Sequence, residues 1–130
     1  MIKVLLDTSV IIEFLRVKEK DKTLHYKLAD KYQLYVSIIT HTELYSGRSV
    51  WENKDARSEL ESLLSEIKII PLDKKISMEA GKLKAKYDMN LIDAIIAATS
   101  LKTKIQLVTL NTKHFSLIKG LKILDSSETE

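Results

Sequence analysis

A short apolar run, Val4-Leu5-Leu6, ends on a carboxylate, Asp7, and passes at once into a segment whose apolar residues, Val10, Ile11, Phe14 and Leu15, recur at helical spacing. Three apolar residues in succession read as a strand buried on both faces, the condition of strands in a parallel sheet covered by helices. Thr8 and Ser9 are residues suited to capping the helix that follows. A strand joined this tightly to a helix points to an open α/β sheet, which carries its chemistry at the carboxyl ends of its strands, beside the helix N-termini. Asp7 stands at that place. Asp is also an ordinary turn and capping residue, so its meaning depends on what else reaches the same edge.

The pattern repeats along the chain. A charged connector, 17–22, leads to helical spacing over 22–32. A second strand is expected over 34–39, followed by a helix opening at Thr40 and stopping at Gly47, then a longer amphipathic segment over 50–66 with Trp51, Leu60, Leu63 and Leu64 on one face. A third strand falls within 67–72, bounded by Pro71 and Asp73. Helices follow over 75–87 and 90–101, a fourth strand over 105–109 and a fifth over 121–124. Strands alternating with helices imply a parallel sheet with helices on both faces, and right-handed crossovers leave few topologies. At 130 residues this is one domain, expected over 1–125 with a polar tail at 126–130. Apolar runs are too short to span a membrane, and the chain opens on a strand with no signal-peptide pattern, so a cytoplasmic protein is expected.

Further acids fall where the pattern puts strand ends. Glu43 lies in Thr40-His41-Thr42-Glu43, which matches a capping box and would put this carboxylate in the first turn of its helix. Asp93 lies in Leu91-Ile92-Asp93-Ala94-Ile95-Ile96-Ala97-Ala98, apolar nearly all round. A charge in such a helix is costly unless it is paired, capped or bound to a metal. With Asn90 as N-cap, Asp93 would occupy the third helical position. The fourth strand ends in Val108-Thr109-Leu110-Asn111, where Thr109 can orient a neighbouring carboxylate and Asn111 offers a neutral oxygen; alone, an Asn there is a turn residue.

Asp7, Glu43, Asp93 and Asn111 thus map to one edge of one sheet. Three carboxylates brought together would repel without a cation. The chain has no cysteine, and its three histidines show no ligand spacing, so oxygen donors suit Mg²⁺ or Mn²⁺ rather than zinc. Such a site is the usual equipment for cutting phosphodiesters, where the ion lowers the pKa of water and offsets phosphate charge. A net charge of +3, with acids gathered in one place, leaves the remaining surface more basic, a hint of a nucleic-acid partner.

These motifs resemble those of the PIN-domain ribonucleases, most closely the small VapC-like toxins of type II toxin–antitoxin pairs. The resemblance rests on Leu5-Leu6-Asp7-Thr8-Ser9-Val10, Ser37-Ile38-Ile39-Thr40-His41-Thr42-Glu43-Leu44, Leu91 to Ala98, and Val108-Thr109-Leu110-Asn111-Thr112-Lys113-His114-Phe115. It covers nearly the whole chain. It implies a three-layer α/β/α fold around a five-stranded parallel sheet in order 3-2-1-4-5. It also implies a metal-dependent endoribonuclease in which Asp7, Glu43 and Asp93 bind Mg²⁺ or Mn²⁺, with Asn111 at a fourth position where many members carry an acid. Thr109 and Ser9 would position the acids. Hydrolysis would leave a 5′-phosphate and a 3′-hydroxyl. The partners implied are RNA, a cognate antitoxin whose tail covers the site, and a second copy in a homodimer.

Arg16, Arg48 and Lys113, with Lys3 and Lys119, are candidates for phosphate contacts; Arg16 and Arg48 are expected to close the helices that begin at two acidic motifs, where antitoxin acids are alternative partners. Asp73 and Asp125 read as structural, Glu13 as a solvated helix residue, and His114 as a packing or turn residue. Trp51 and the tyrosines can stack bases, though their spacing suits core or interface. A phosphotransferase using Asp7 as nucleophile would want a second Asp where Ser9 stands, and a receiver domain would need adjacent acids on the first strand. The remaining alternative is a non-catalytic PIN-like module that binds RNA or protein, against which the three carboxylates count, since a pure binder gains nothing from negative charge facing phosphates.

Overall fold

In a computed structural model, described over residues 1–125, the first strand β1 (Ile2–Leu6) occupies the middle of a parallel sheet. Its neighbours are β2 (Tyr32–Ser37) on one side and β4 (Gln106–Val108) on the other, with β3 (Lys68–Ile70) beyond β2. The order is therefore β3-β2-β1-β4. The fifth strand expected over 121–124 stands in its expected place outside β4 but is reduced to one bridge, Ile123 to Leu107. Leu107 N–H donates to Lys122 O and Leu124 N–H to Leu107 O, both at 2.8 Å. The strand is short because Leu121 N–H is spent on Ile118 O in the preceding turn, where Gly120 takes a φ of 86°. The polar tail expected at 126–130 lies outside the described residues.

Alternation along β1 sends Val4 and Leu6 to one face and Leu5 to the other, all wholly buried. Val4 and Leu6 pack with Val10 and Ile11 of α1 (Thr8–Arg16), Leu28 of α2 (Leu24–Ala29) and Leu60 and Leu64 of α5 (Lys54–Leu64). Leu5 packs with Ile76, Ala80 and Leu83 of α6 (Lys74–Tyr87), Ala94 to Ala98 of α7 (Leu91–Thr103), and Phe115 of the short α8 (Thr112–Phe115). These two apolar layers make the three-layer α/β/α arrangement. Burying each such leucine fully contributes roughly 1.5–3 kcal/mol. No described helix is long and apolar enough to cross a membrane.

Boundaries move where capping outweighs apolar pattern. Asp7 itself is the N-cap of α1, and Thr8 is its first helical residue. The second strand stops at Ser37, whose side chain accepts from Ile39 N–H, so Ile38 and Ile39 open α3 (Ile38–Leu44) instead of ending the strand. Thr40 is then inside the helix, and the expected capping box does not form. The helix closes at Tyr45, and Gly47 precedes α4 (Arg48–Glu52), so Arg48 opens a helix and does not close one. The amphipathic segment expected over 50–66 is broken by Asn53, whose Oδ1 accepts from Asp55 and Ala56 N–H to start α5. Asp73 caps α6 through Ile76 N–H, as a structural acid.

His25 on α2 is buried against Phe14, ring centroids 4.8 Å apart, and its Nδ1 has no hydrogen-bond partner among the described residues. Burial holds its pKa below the usual 6.5, with Glu66 pulling weakly the other way. The unfolded chain therefore takes up a proton near pH 6.5 that the folded chain resists, so stability is lost as pH falls from 6.5 through the lowered value. Urea denaturation of the wild type between pH 7.5 and 5.5 should show a falling midpoint, and the slope should flatten in His25→Leu.

Candidate active site

The register of β1 against β4 pairs Leu6 with Val108, so the next residues, Asp7 and Thr109, face each other at the carboxyl edge. Asp7 N–H donates to Val108 O at 2.9 Å, extending the ladder by one bond. The Asp7 carboxylate is only 4% exposed. Its Oδ1 accepts from Thr8 N–H at 2.8 Å, and its Oδ2 from Ser9 Oγ at 2.9 Å and Thr109 Oγ1 at 2.7 Å. Each carboxylate oxygen has two lone pairs, so Oδ2 is fully used and Oδ1 keeps one for a ligand. Ser9 Oγ in turn accepts from Leu110 N–H at 3.1 Å, and Thr109 Oγ1 from Asn111 N–H at 2.9 Å. The two expected positioning residues thus tie Asp7 to the segment leading to Asn111. The ordinary capping role of Asp7 and a ligand role coexist in one side chain.

Glu43 sits in the last turn of α3, not the first. Its Oε1 accepts from Thr8 Oγ1 at 2.6 Å. Thr8 Oγ1 also lies 3.0 Å from Thr40 Oγ1. Thr8 has one hydroxyl proton and spends it on the carboxylate, so Thr40, wholly buried, is the donor to Thr8. A two-hydroxyl relay therefore orients Glu43 from the start of α1. Because Thr40 and Glu43 both reach Thr8, α3 lies along the carboxyl edge.

Asp93 occupies the third position of α7, as expected, with Asn90 Oδ1 accepting from Ile92 N–H at 2.8 Å and Asp93 N–H at 3.4 Å. Burial raises its pKa first, and the Asp7 charge adds to that; His114, with Nδ1 3.4 Å from Asp93 Oδ2, opposes both. Asp7 and Asp93 therefore feel each other across the edge. His114, read from sequence as a packing or turn residue, is instead the partner of Asp93. Its only sequence signal was its place three residues past Asn111, in the turn that returns to the site.

Asn111 precedes α8 with its side chain exposed and uncommitted to the helix. Arg16 ends α1, Arg48 opens α4 and Lys113 lies in α8; all three are exposed, and among the described residues none is ion-paired. Glu13 does not face solvent alone: its Oε1 accepts from Leu24 N–H at 2.8 Å, fixing the start of α2. Among the described residues no group of three or more acid or imidazole side chains is already close enough together to hold a metal ion. Asp7, Glu43 and Asp93 are instead held by separate donors at an edge open to a ligand. Hard oxygen donors, with like charges already opposing one another, fit a hard divalent cation.

The chain matches the family model described as PIN domain over residues 4–121. It is 29% identical over 124 residues to Ribonuclease VapC10 of Mycobacterium tuberculosis, covering 92% of this chain and 90% of the relative. It is also 29% identical over 136 residues to Ribonuclease VapC1 of Rickettsia felis, covering 97% and 98%. Among solved structures, a toxin–antitoxin complex from Klebsiella pneumoniae superposes with a TM-score of 0.77 at 25% identity, covering 95% of this chain and 98% of that one.

Thr109→Val keeps the shape of the side chain but removes the Asp7 bond, leaving a buried carboxylate one donor short. The expected cost is about 1.5–3 kcal/mol of stability, read as a lower urea midpoint with an unchanged denaturant slope.

Proposed function

The chain belongs to the PIN-domain family, and on that premise we propose that it is a divalent-metal-dependent endoribonuclease, the toxin of a VapBC-like pair. The observation that carries this reading is the acidic edge itself. Three carboxylates, at the N-cap of α1, in α3 and in α7, share one end of the sheet, Asp7 and Glu43 oriented by hydroxyl and amide donors and Asp93 facing His114. No lysine or arginine is paired with them among the described residues. An acid set wired in this way has its negative charge left over for a cation. The relatives named as ribonucleases align over nearly the full chain, which supports RNA as substrate.

Asp7, Glu43 and Asp93 would hold Mg²⁺ or Mn²⁺. Bound there, such an ion supplies positive charge for the scissile phosphate and lowers the pKa of water so that it attacks at neutral pH. Ser9 and Thr109 keep Asp7 from rotating, and Thr8 does the same for Glu43. Asn111 would offer an amide oxygen to ion or water. One divalent ion leaves the three acids short of neutral and two overshoot, so a second ion fits best when it arrives with substrate phosphate. Water attack at phosphorus leaves a 5′-phosphate and a 3′-hydroxyl.

The residues 1–125 form the catalytic domain in this reading, and the active protein is a homodimer. Its silencing partner is a cognate antitoxin, in keeping with the toxin–antitoxin complex among the structural relatives. Arg16, Arg48 and Lys113 are free to meet RNA phosphates, or antitoxin acids when the pair is assembled.

Cleavage of a mixed RNA pool should require added Mg²⁺ or Mn²⁺ and stop with EDTA. Asp7→Asn and Asp93→Asn should each lower the rate by at least roughly a hundredfold while keeping the wild-type circular dichroism spectrum at the assay temperature. Cutting that survives EDTA or either variant would refute the metal mechanism. Binding of RNA without any cutting, by protein free of antitoxin, would favour the non-catalytic module.

A further inference from the structure

Beside the acids, α3 carries a second feature that the hydrolytic reading leaves unused. His41 and Tyr45 lie one turn apart on this helix, ring centroids 4.8 Å apart, and Trp51 of α4 follows Tyr45 at 5.9 Å. Three aromatic rings thus stand in succession from α3 to α4, beginning on the helix whose Glu43 reaches the carboxyl edge. Tyr45 is partly buried on the core, whereas Trp51 is 62% exposed. The indole is nonetheless held in place, because its Nε1–H donates to Tyr45 O at 2.7 Å. A large ring fixed in water is unfavourable in isolation and is pre-organised for a flat partner.

The surroundings distinguish which partner. In sequence Trp51 is flanked by Ser46, Gly47, Arg48, Ser49, Glu52 and Asn53, all exposed and none a large apolar residue, a polar setting unlike the apolar centre that a protein interface buries. Arg48 stands three residues before Trp51, on the same side of α4, with no ion-pair partner among the described residues. One fixed ring beside one free guanidinium matches one unpaired base and its phosphate. We propose that Trp51, backed by Tyr45 and His41, is a stacking platform for an unpaired nucleotide of the RNA next to the cleavage edge, with Arg48 facing the phosphate.

The proposal rests on the ribonuclease reading, and its test separates the two. Trp51 is the only tryptophan in the chain, so its emission reports this site alone. The full-length Asp7→Asn chain, in Mg²⁺, is titrated with a fluorescein-labelled pool of random single-stranded RNA 12-mers. Anisotropy of a trace of the pool measures binding, and tryptophan emission is followed with the same pool unlabelled and with an abasic ribose-phosphate oligomer. The expected result is quenching by the RNA pool and not by the abasic oligomer. Trp51→Ala in the same background should weaken RNA binding about tenfold, with Trp51→Phe falling between, and all three proteins melting alike. RNA binding with unchanged emission and equal affinity in Trp51→Ala would overturn the platform while sparing the ribonuclease reading. Absence of RNA binding in every variant would overturn both. A blue shift produced only by the cognate antitoxin would assign the ring to a protein interface and overturn the proposal.

Discussion

The site depends on one parallel register. Leu6 pairs with Val108, and that pairing sets Asp7 against Thr109 although 102 residues separate them. A slip of one residue would turn every side chain of β1 to the opposite face. It would exchange the Val4 and Leu6 layer for the Leu5 layer and carry Asp7 away from its hydroxyl. The two apolar layers on either face of the sheet therefore hold the geometry of a carboxylate that lies in neither. Packing specifies the register, and the register aims the acid.

Neutral donors do the aiming. Buried charges in proteins are costly unless paired or bonded, and a cationic partner would have been the direct remedy. Here Asp7 and Glu43 are instead held by Thr8, Ser9, Thr109 and a backbone amide, with Thr40 acting through Thr8, and only Asp93 faces a titratable partner, His114. Hydroxyls fix direction without cancelling charge. The repulsion that remains is visible in Asp93, whose proton affinity is raised by burial and by Asp7. In the proposed reading, an edge built this way keeps its attraction for a divalent ion, and Arg16 and Arg48, exposed and without an ion pair among the described residues, stay available for a polyanion.

The turn from α3 to α4 links both halves of the substrate problem. The same helix that brings Glu43 to Thr8 carries Tyr45, and Tyr45 supplies the carbonyl that fixes the exposed Trp51. A short helix laid along the sheet edge can serve chemistry on one side and recognition on the other. Its placement follows from Ser37, which starts the helix at the last residue of β2.

Much of this architecture was legible in the sequence because it is local. Apolar runs gave the strands, helical spacing gave α1, α6 and α7, and Asn90 and Asp73 announced their caps within three residues of the amides they bind. Local rules also misled. Thr40 to Glu43 has the form of a capping box, yet Ser37 captured the helix start, and the Thr and Glu met through Thr8 instead. The shortening of the fifth strand, the break at Asn53, the pairing of His114 with Asp93 and the ring of Trp51 on Tyr45 had no comparable signal. The helix spacing and the caps at Asn90 and Asp73 are set by interactions reaching at most about a turn along the chain, whereas the strand order was legible only through the family resemblance and rests on pairings between distant residues. Which hydroxyl orients which carboxylate, and which exposed ring is held still, was decided only in the folded molecule, because those contacts join elements whose closeness depends on the register of the sheet.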